Sequence, residues 1–299
     1  MNNKHINIQL FAPPTNITAT TDVAPAISID YVSRITQSLE DLRRILGVTN
    51  MTPVAAGSDI KIYKWTTTLA NQVAEGETIG LSKAARTVDR AITVSLGKYR
   101  KETTAEAIQK SGRDVAINDT DAKLVGAIRK AVKTSFFTSF SGNASATAAT
   151  AAATLQATLA NVWAKLQKKH EDDDISPLFL VSTDDVATYL GTASITMQTE
   201  FGFSYVQNFL GLGDAIITPM LTAGAVYGVA KENLAGYYVP QNGDVAQSFN
   251  MIGDETGMVS MGHYPKSDNA SIDTLLFCSV GFYPEMADCV IKGTITPST

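Results

Sequence analysis

Hydrophobic and polar positions alternate along this chain with two periods, and the longest regular stretch has the helical one. Over residues 119–140, apolar or small side chains recur at three- and four-residue steps, at Leu124, Ile128, Ala131, Val132, Ser135 and Phe136. Lys123, Arg129, Lys130 and Lys133 fall mostly off that stripe. The spacing predicts an amphipathic helix capped by Asp119 or Thr120. At 1.5 Å per residue it would be a rod of roughly 33 Å, long enough to serve as a spine. A second helix is predicted over 28–46 from apolar positions 31, 32, 35, 39, 42, 45 and 46, closed by Gly47. A third places Leu155, Leu159, Val162, Trp163 and Leu166 on one face behind a Thr154 cap, and a short one covers 104–111.

The two-residue period appears between 57 and 101. Ile60 and Ile62 alternate with Lys61, Tyr63 and Trp65, and 88–96 alternates again. About 22 polar, glycine-containing and charged residues separate the two arms, too many for a tight turn. This predicts a long two-stranded flap with a charged tip over 70–86, carrying Glu75, Glu77, Lys83 and Arg86. An isolated ribbon is marginal in water, so the flap is expected to lie on a partner subunit. Further strands are expected at 177–182, 215–218, 226–230 and 237–239, with a helical turn at 232–234. From Met258 onward, two apolar runs surround a Tyr-Pro-Glu corner and are expected to return beside the spine.

The ends and joints have their own chemistry. Residues 1–26 combine a short apolar run with Pro13, Pro14 and Pro25, and read as an extended arm. Alternation of Ile6, Ile8 and Leu10, with Phe11 after them, suits addition of an edge strand to a neighbouring subunit. The small-residue stretch 141–154 reads as a linker.

With 299 residues and 44% hydrophobic content the chain can bury a sizeable core, which excludes a disordered protein. Charged residues make up only 18%, below the roughly 25% of ordinary globular chains, as expected of a surface largely covered by neighbours. A net charge of −5 provides no global basic field, so sequence-specific reading of DNA and adhesion to anionic membranes are not expected. No apolar run reaches the ~18 residues needed to span a bilayer, and no secretion signal is recognised. The chain therefore reads as cytosolic, or as released without such a signal.

Catalytic and metal chemistry finds little to build on. Cys278 and Cys289 stand eleven apart with no histidine at ligand spacing, and read as buried thiols. His5, His170 and His263 are dispersed. The acidic run 171–174 lacks the alternating donors and glycine of a calcium loop and reads as a solvated turn. Asp184 and Asp185 form an adjacent carboxylate pair that helix capping explains. Gly211 and Gly213 lack the further glycine and the lysine of phosphate-binding loops. No catalytic residue, cofactor or metal is assigned.

The order of these parts carries a resemblance. An arm containing IQLFA, a flap containing AEGETIGLSK, a strand into LGKYRKETTAEAIQKSGRD, a spine helix, a compact α/β region and the closing GFYPEMADCVIKG together resemble the major capsid proteins of tailed phages with the HK97-type fold. The resemblance implies an α+β fold divided into an N-terminal arm at 1–26 and a P domain at 27–56 and 103–149 that holds the spine. It also implies an E-loop at 57–102, an A domain at 150–262, and return strands to the P domain at 263–299. It implies a homo-oligomer of hexamers and pentamers, assembled in the host cytoplasm into a virion shell that encloses DNA without reading its sequence. A separate scaffolding protein and a portal are expected partners, since the family's N-terminal delta domain has no counterpart in these motifs. The competing readings are an encapsulin-like nanocompartment, which shares the fold and differs in cargo, and a small-molecule enzyme built on Asp184, Asp185 or His263.

Overall fold

The computed structural model describes residues 20–48, 51–170, 174–191, 198–200, 203–253 and 255–296. Its first element is helix α1, Thr20–Leu46, which begins eight residues before the helix expected at 28. Residues 20–26 thus belong to this helix and not to an extended arm. Proline at 25 removes one amide donor, but once a helix is nucleated each added residue is cheap, and alanines at 24 and 26 favour it. Val32, Ile35, Leu39, Leu42, Ile45 and Leu46 are buried. Gly47, at φ 70°, ends α1 as the sequence predicts, and the amides of Gly47 and Val48 close onto the carbonyls of Arg44 and Arg43 at 3.1 and 3.0 Å.

Short β1, Met51–Pro53, leads into the flap, whose arms are β2, Asp59–Thr68, and β3, Lys83–Thr93. They pair antiparallel from Asp59 opposite Thr93 to Thr68 opposite Lys83, with an irregularity at Ile62 and Tyr63. Strand β4, Lys98–Thr104, follows, then helix α2, Ala105–Ser111, capped by the Thr104 hydroxyl. A π-helical turn, Asp114–Asp119, runs directly into the spine α3, Thr120–Ser141. The expected cap at Asp119 or Thr120 is absent. Asp119 is itself in helical conformation, and the Thr120 hydroxyl donates back to the carbonyls of Ala116 and Ile117 at 2.7 and 3.0 Å, so the spine continues an existing turn. Val125, Ile128, Val132, Phe136, Phe137 and Phe140 form its buried face, with Phe136 edge-on to Phe137 and Phe140 at centroid distances of 5.1 and 5.0 Å.

Beyond β5, Thr147–Ala148, helix α4, Leu155–Lys169, is capped by Thr154 as expected and buries Leu155, Leu159, Val162 and Leu166. Then come β6, Pro177–Ser182, α5, Thr183–Leu190, β7, Gln198–Glu200, β8, Phe203–Phe209, β9, Gly213–Thr218, and β10, Ala225–Ala230. A 3-10 turn, Lys231–Asn233, precedes β11, Leu234–Tyr238. The chain closes through α6, Asp244–Ser248, β12, Ile252–Gly253, β13, Val259–Lys266, β14, Ser271–Cys278, β15, Val280–Pro284, a 3-10 turn, Ala287–Cys289, and β16, Ile291–Thr294.

Strands far apart in sequence are joined in four sheets. The largest has the order β5-β16-β10-β6-β9-β8-β7 and mixes parallel and antiparallel pairs. One core lies between the spine, α1 and one side of this sheet, and a second lies between its other side and α4 and α5. A second sheet, β12-β13-β14-β4, holds the strand that leaves the flap against the closing hairpin. The third is β1-β11-β15, and the fourth is the flap itself. The closing segment is therefore divided: β14 and β15 lie beside the spine region, while β16 crosses back to pair with β10 in the largest sheet.

Gly97 makes the passage from flap to body possible. Its amide donates to the Ser279 hydroxyl, its carbonyl accepts from the Cys278 amide at 3.1 Å, and a Cβ there would sit 2.1 Å from the Cys278 carbonyl oxygen. Gly97→Ala is expected to push β14 off β4 and cost about 1–3 kcal/mol, the usual range for overpacking. Its thermal midpoint, set beside that of Gly126→Ala, where the backbone is helical and a Cβ meets nothing within 4 Å, checks this. Equal midpoints would show that the strand crossing is not tight.

Candidate intersubunit surface

The flap divides into a rooted half and a free half. At the root, Ile60, Ile62 and Val94 are buried, and Ile60 and Val94 pack with Val239. The Tyr63 amide donates to the Glu285 carbonyl at 3.0 Å, the Arg90 guanidinium donates to the Ser139 carbonyl near the end of the spine at 3.0 Å, and Ser145 donates to the Asp89 carboxylate at 2.5 Å. The flap is thus carried partly by its own body, more than the sequence indicated. Beyond that root the ribbon is open to solvent among the described residues: from Thr66 to Ala84 every residue except Ala70 is exposed.

The tip is shorter than the alternation implied. The ladder continues to Thr68 and Lys83, so the connecting segment is 69–82 and not 70–86. Glu75 and Glu77 lie in it, and Glu77 accepts from the Ala74 amide at 3.3 Å. Lys83 and Arg86 do not: both are on β3, and the Arg86 guanidinium stacks over the Tyr63 ring, 3.3 Å from its centroid. The residues that sequence reasoning missed are apolar. Leu69, Ile79 and Leu81 are 76%, 76% and 97% exposed, and Val73 accompanies them. Large aliphatic side chains set among polar residues in a segment predicted to be exposed were the available signal. Ile6, Ile8, Leu10 and Phe11, the expected adhesive run of the arm, lie outside the described residues.

Behind the flap, the start of the spine is fixed by a buried charge. The Asp121 carboxylate is fully buried and meets the Lys101 ammonium from β4, Nε2 of His263 from β13 at 2.7 Å, and the Thr274 hydroxyl from β14 at 3.1 Å. Lys101 also donates to the Ile117 carbonyl at 3.2 Å. Burial alone would raise the Asp121 pKa. Hydrogen bonds from His263 and Lys101, with their charges, outweigh that and hold it below the ordinary carboxylate value.

The residues of the enzymatic reading do not converge. His263 is taken up by Asp121. Asp185 accepts the Gly224 amide through both oxygens, at 3.0 and 2.9 Å, and burial raises its pKa. Asp184 lies in the first turn of α5, its amide donating to the Ser182 cap at 3.3 Å. An open depression of about 690 Å³, bordered by His170, Glu232, Asp288 and Cys289, contains none of the three. Among the described residues no group of three or more His, Cys, Asp or Glu is placed to hold a metal ion, and no helix is long and apolar enough to cross a membrane. Neither cysteine is in a disulfide. Cys278 is buried, whereas Cys289 is only half-buried, with its thiol pushed up to about 11 chiefly by burial. Residues 171–173 of the acidic run lie outside the described residues.

No protein-family model matches the sequence, and no curated protein matches it. Solved structures do match in fold. The holo-SrpI encapsulin complex of Synechococcus elongatus PCC 7942 matches with a TM-score of 0.52 and 12% identity over 86% of this chain and 90% of that one. The mature capsid of bacteriophage PhiM1 matches with a TM-score of 0.50 and 11% identity over 84% and 86%. The virus-like particle of Pyrococcus furiosus matches with a TM-score of 0.50 and 10% identity over 88% and 97%. The chain has the fold of these shell proteins, the HK97-type capsid fold, with helix and sheet in similar proportion.

Proposed function

We propose that this chain is the major capsid protein of a tailed phage, a structural protein without catalytic activity that closes through hexamers and pentamers into the head shell around a genome. The observation that carries the reading is the free half of the flap, a projecting ribbon with an apolar tip on a chain whose fold is that of shell proteins. A lone domain gains nothing from exposing Leu69, Ile79 and Leu81. A copy in a closed assembly buries them on its neighbour, at about 1.5–3 kcal/mol per side chain. In this assignment β2 and β3 are the E-loop, α3 is the spine of the P domain, and the largest sheet with α4 and α5 is the A domain.

The same magnitudes rank the charged candidates. Exposed ion pairs contribute about 0.2–1 kcal/mol each, so Glu75, Glu77, Lys83 and Arg86 set register and orientation on the neighbour while the aliphatic tip supplies most of the affinity. Ile6, Ile8, Leu10 and Phe11 would add a second contact by strand addition. A scaffolding protein and a portal complete the expected set of partners, and the assembled site is the virion.

The encapsulin-like reading shares the fold and is favoured by the match to the encapsulin complex. Electron microscopy of the purified protein, alone and with its scaffold, tests the shell. Closed particles are expected, and a monomer that persists at high concentration in both conditions would overturn the proposal. Particle contents then separate the two shells, since phage-derived heads carry genomic DNA and a compartment carries an enzyme.

A further inference from the structure

One surface outside the flap has a different chemistry. After the buried Asp121, every charged residue of α3 is basic: Lys123, Arg129, Lys130 and Lys133. Lys123 and Lys130 are exposed on the side of the spine that faces away from its core. Arg34 of α1 joins them, since the Arg129 guanidinium donates to the Arg34 carbonyl at 3.0 Å. The cations are close enough to oppose one another. Burial first, and then the Arg34 charge, lowers the Arg129 pKa, while burial followed by the Arg129 charge lowers that of Lys133. A chain of net charge −5 thus gathers the basic residues of α3 on one side of the helix, where the exposed Lys123 and Lys130 are the pair that a polyanion would reach.

We infer that this face of the spine binds the phosphate backbone of nucleic acid without reading its sequence. What lies between the cations distinguishes phosphate from an acidic protein. The exposed residues around them include Ala122, Gly126, Ala127 and Ala131, and none of the large exposed apolar side chains of the described residues is on α3. A protein interface needs aromatic or aliphatic anchors at its centre, which this face lacks and the flap tip has. A polyanion needs only cations at helical spacing and small side chains that allow close approach. In the shell reading, on which this step alone rests, the nucleic acid is the enclosed genome, which requires this face to turn inward.

The test is the salt dependence of binding by the full-length chain to a labelled duplex of about 30 base pairs, followed by fluorescence anisotropy between about 50 and 200 mM salt. Weak, sequence-independent binding is expected. Lys123→Gln with Lys130→Gln should make the slope of log K against log salt shallower by about 1.8, the release expected for two lost phosphate contacts. Lys165→Gln with Lys168→Gln, the same charge change on exposed residues of α4, should leave the slope unchanged. Equal slopes for the two double variants, or sequence-selective binding by the parent chain, would overturn the inference. So would displacement of the duplex by polyglutamate of matched charge as effectively as by unlabelled DNA, which would assign the face to an acidic protein. Failure of the shell proposal reads out separately, as absence of particles in the micrographs of the parent chain.

Discussion

Replacing residues 69–82 by Asn-Gly leaves the monomer's melting temperature unchanged and eliminates closed shells: that is the expected result if the flap tip is a contact between copies. Thr68 and Lys83 already face one another across the ladder, so a two-residue turn joins them without altering the strands below. The deleted segment contributes almost nothing to the core, because all of it except Ala70 is exposed. Circular dichroism and thermal melting measure the first half of the expectation, and electron microscopy the second. A finer pair of variants separates the two kinds of contact. Leu69→Ser, Ile79→Ser and Leu81→Ser together forfeit about 4.5–9 kcal/mol at each contact and should prevent assembly, whereas Glu75→Gln with Glu77→Gln forfeits at most about 2 and should shift only its salt dependence. Normal shells from the tipless chain would remove the physical basis of the capsid reading. Unfolding of the tipless chain would place the tip on its own body.

The second large effect is internal. Asp121→Ala leaves the Lys101 ammonium in a partly buried position without its counter-charge, and His263 and Thr274 without their acceptor. Loss of one partner of a buried pair typically costs about 3–5 kcal/mol, and the expected stability loss in urea denaturation lies in that range. Adding Lys101→Met to Asp121→Ala should recover part of the loss, because the stranded charge is then gone. A cost below about 1 kcal/mol for the single variant would show that the cluster is not a structural pin. The pH dependence follows from the lowered pKa of Asp121. A carboxylate depressed on folding adds stability above its unfolded value, about 3.9, and that stability is lost as pH falls through the lower folded value. The parent chain should therefore lose stability more steeply than Asp121→Asn below about pH 4.

These two sites differ in how far the sequence announces them. The spine was legible because one period runs through its whole length, with Ile128, Val132 and Phe136 repeating on one side and lysines on the other. Asp121 was not legible, since an acid in a first turn ordinarily serves the helix end. Only the fold brings Lys101, His263 and Thr274 to it, from 20, 142 and 153 residues away. The flap was legible as a ribbon but its tip was misplaced. Thr66, Thr67, Ala84 and Ala85 pair across the ladder yet offer no apolar alternation, since both sides of the ribbon there meet water. The start of α1 is hidden for the opposite reason, because the prolines of 1–26 suggest an extended arm although the helix passes through Pro25.

The root of the flap has a mechanical consequence. Its arms run ten and eleven residues, but the lower half is rooted, so the free lever is about five residues of each arm, roughly 17 Å, plus the tip. The rooted half is clamped by Arg90 to the carbonyl of Ser139, by Asp89 to Ser145, and by the Tyr63 amide to Glu285. Two of these clamps grip the spine's last turn and the loop just beyond it. In the proposed shell, a neighbour that seizes the tip would apply a torque to the far end of α3, while the Lys101 to Asp121 pin holds the near end to the sheet. Strain introduced at the tip would be carried along the helix axis to this pin, so that the stiffness of the spine would set how far a contact at the flap is felt in the body of the same copy.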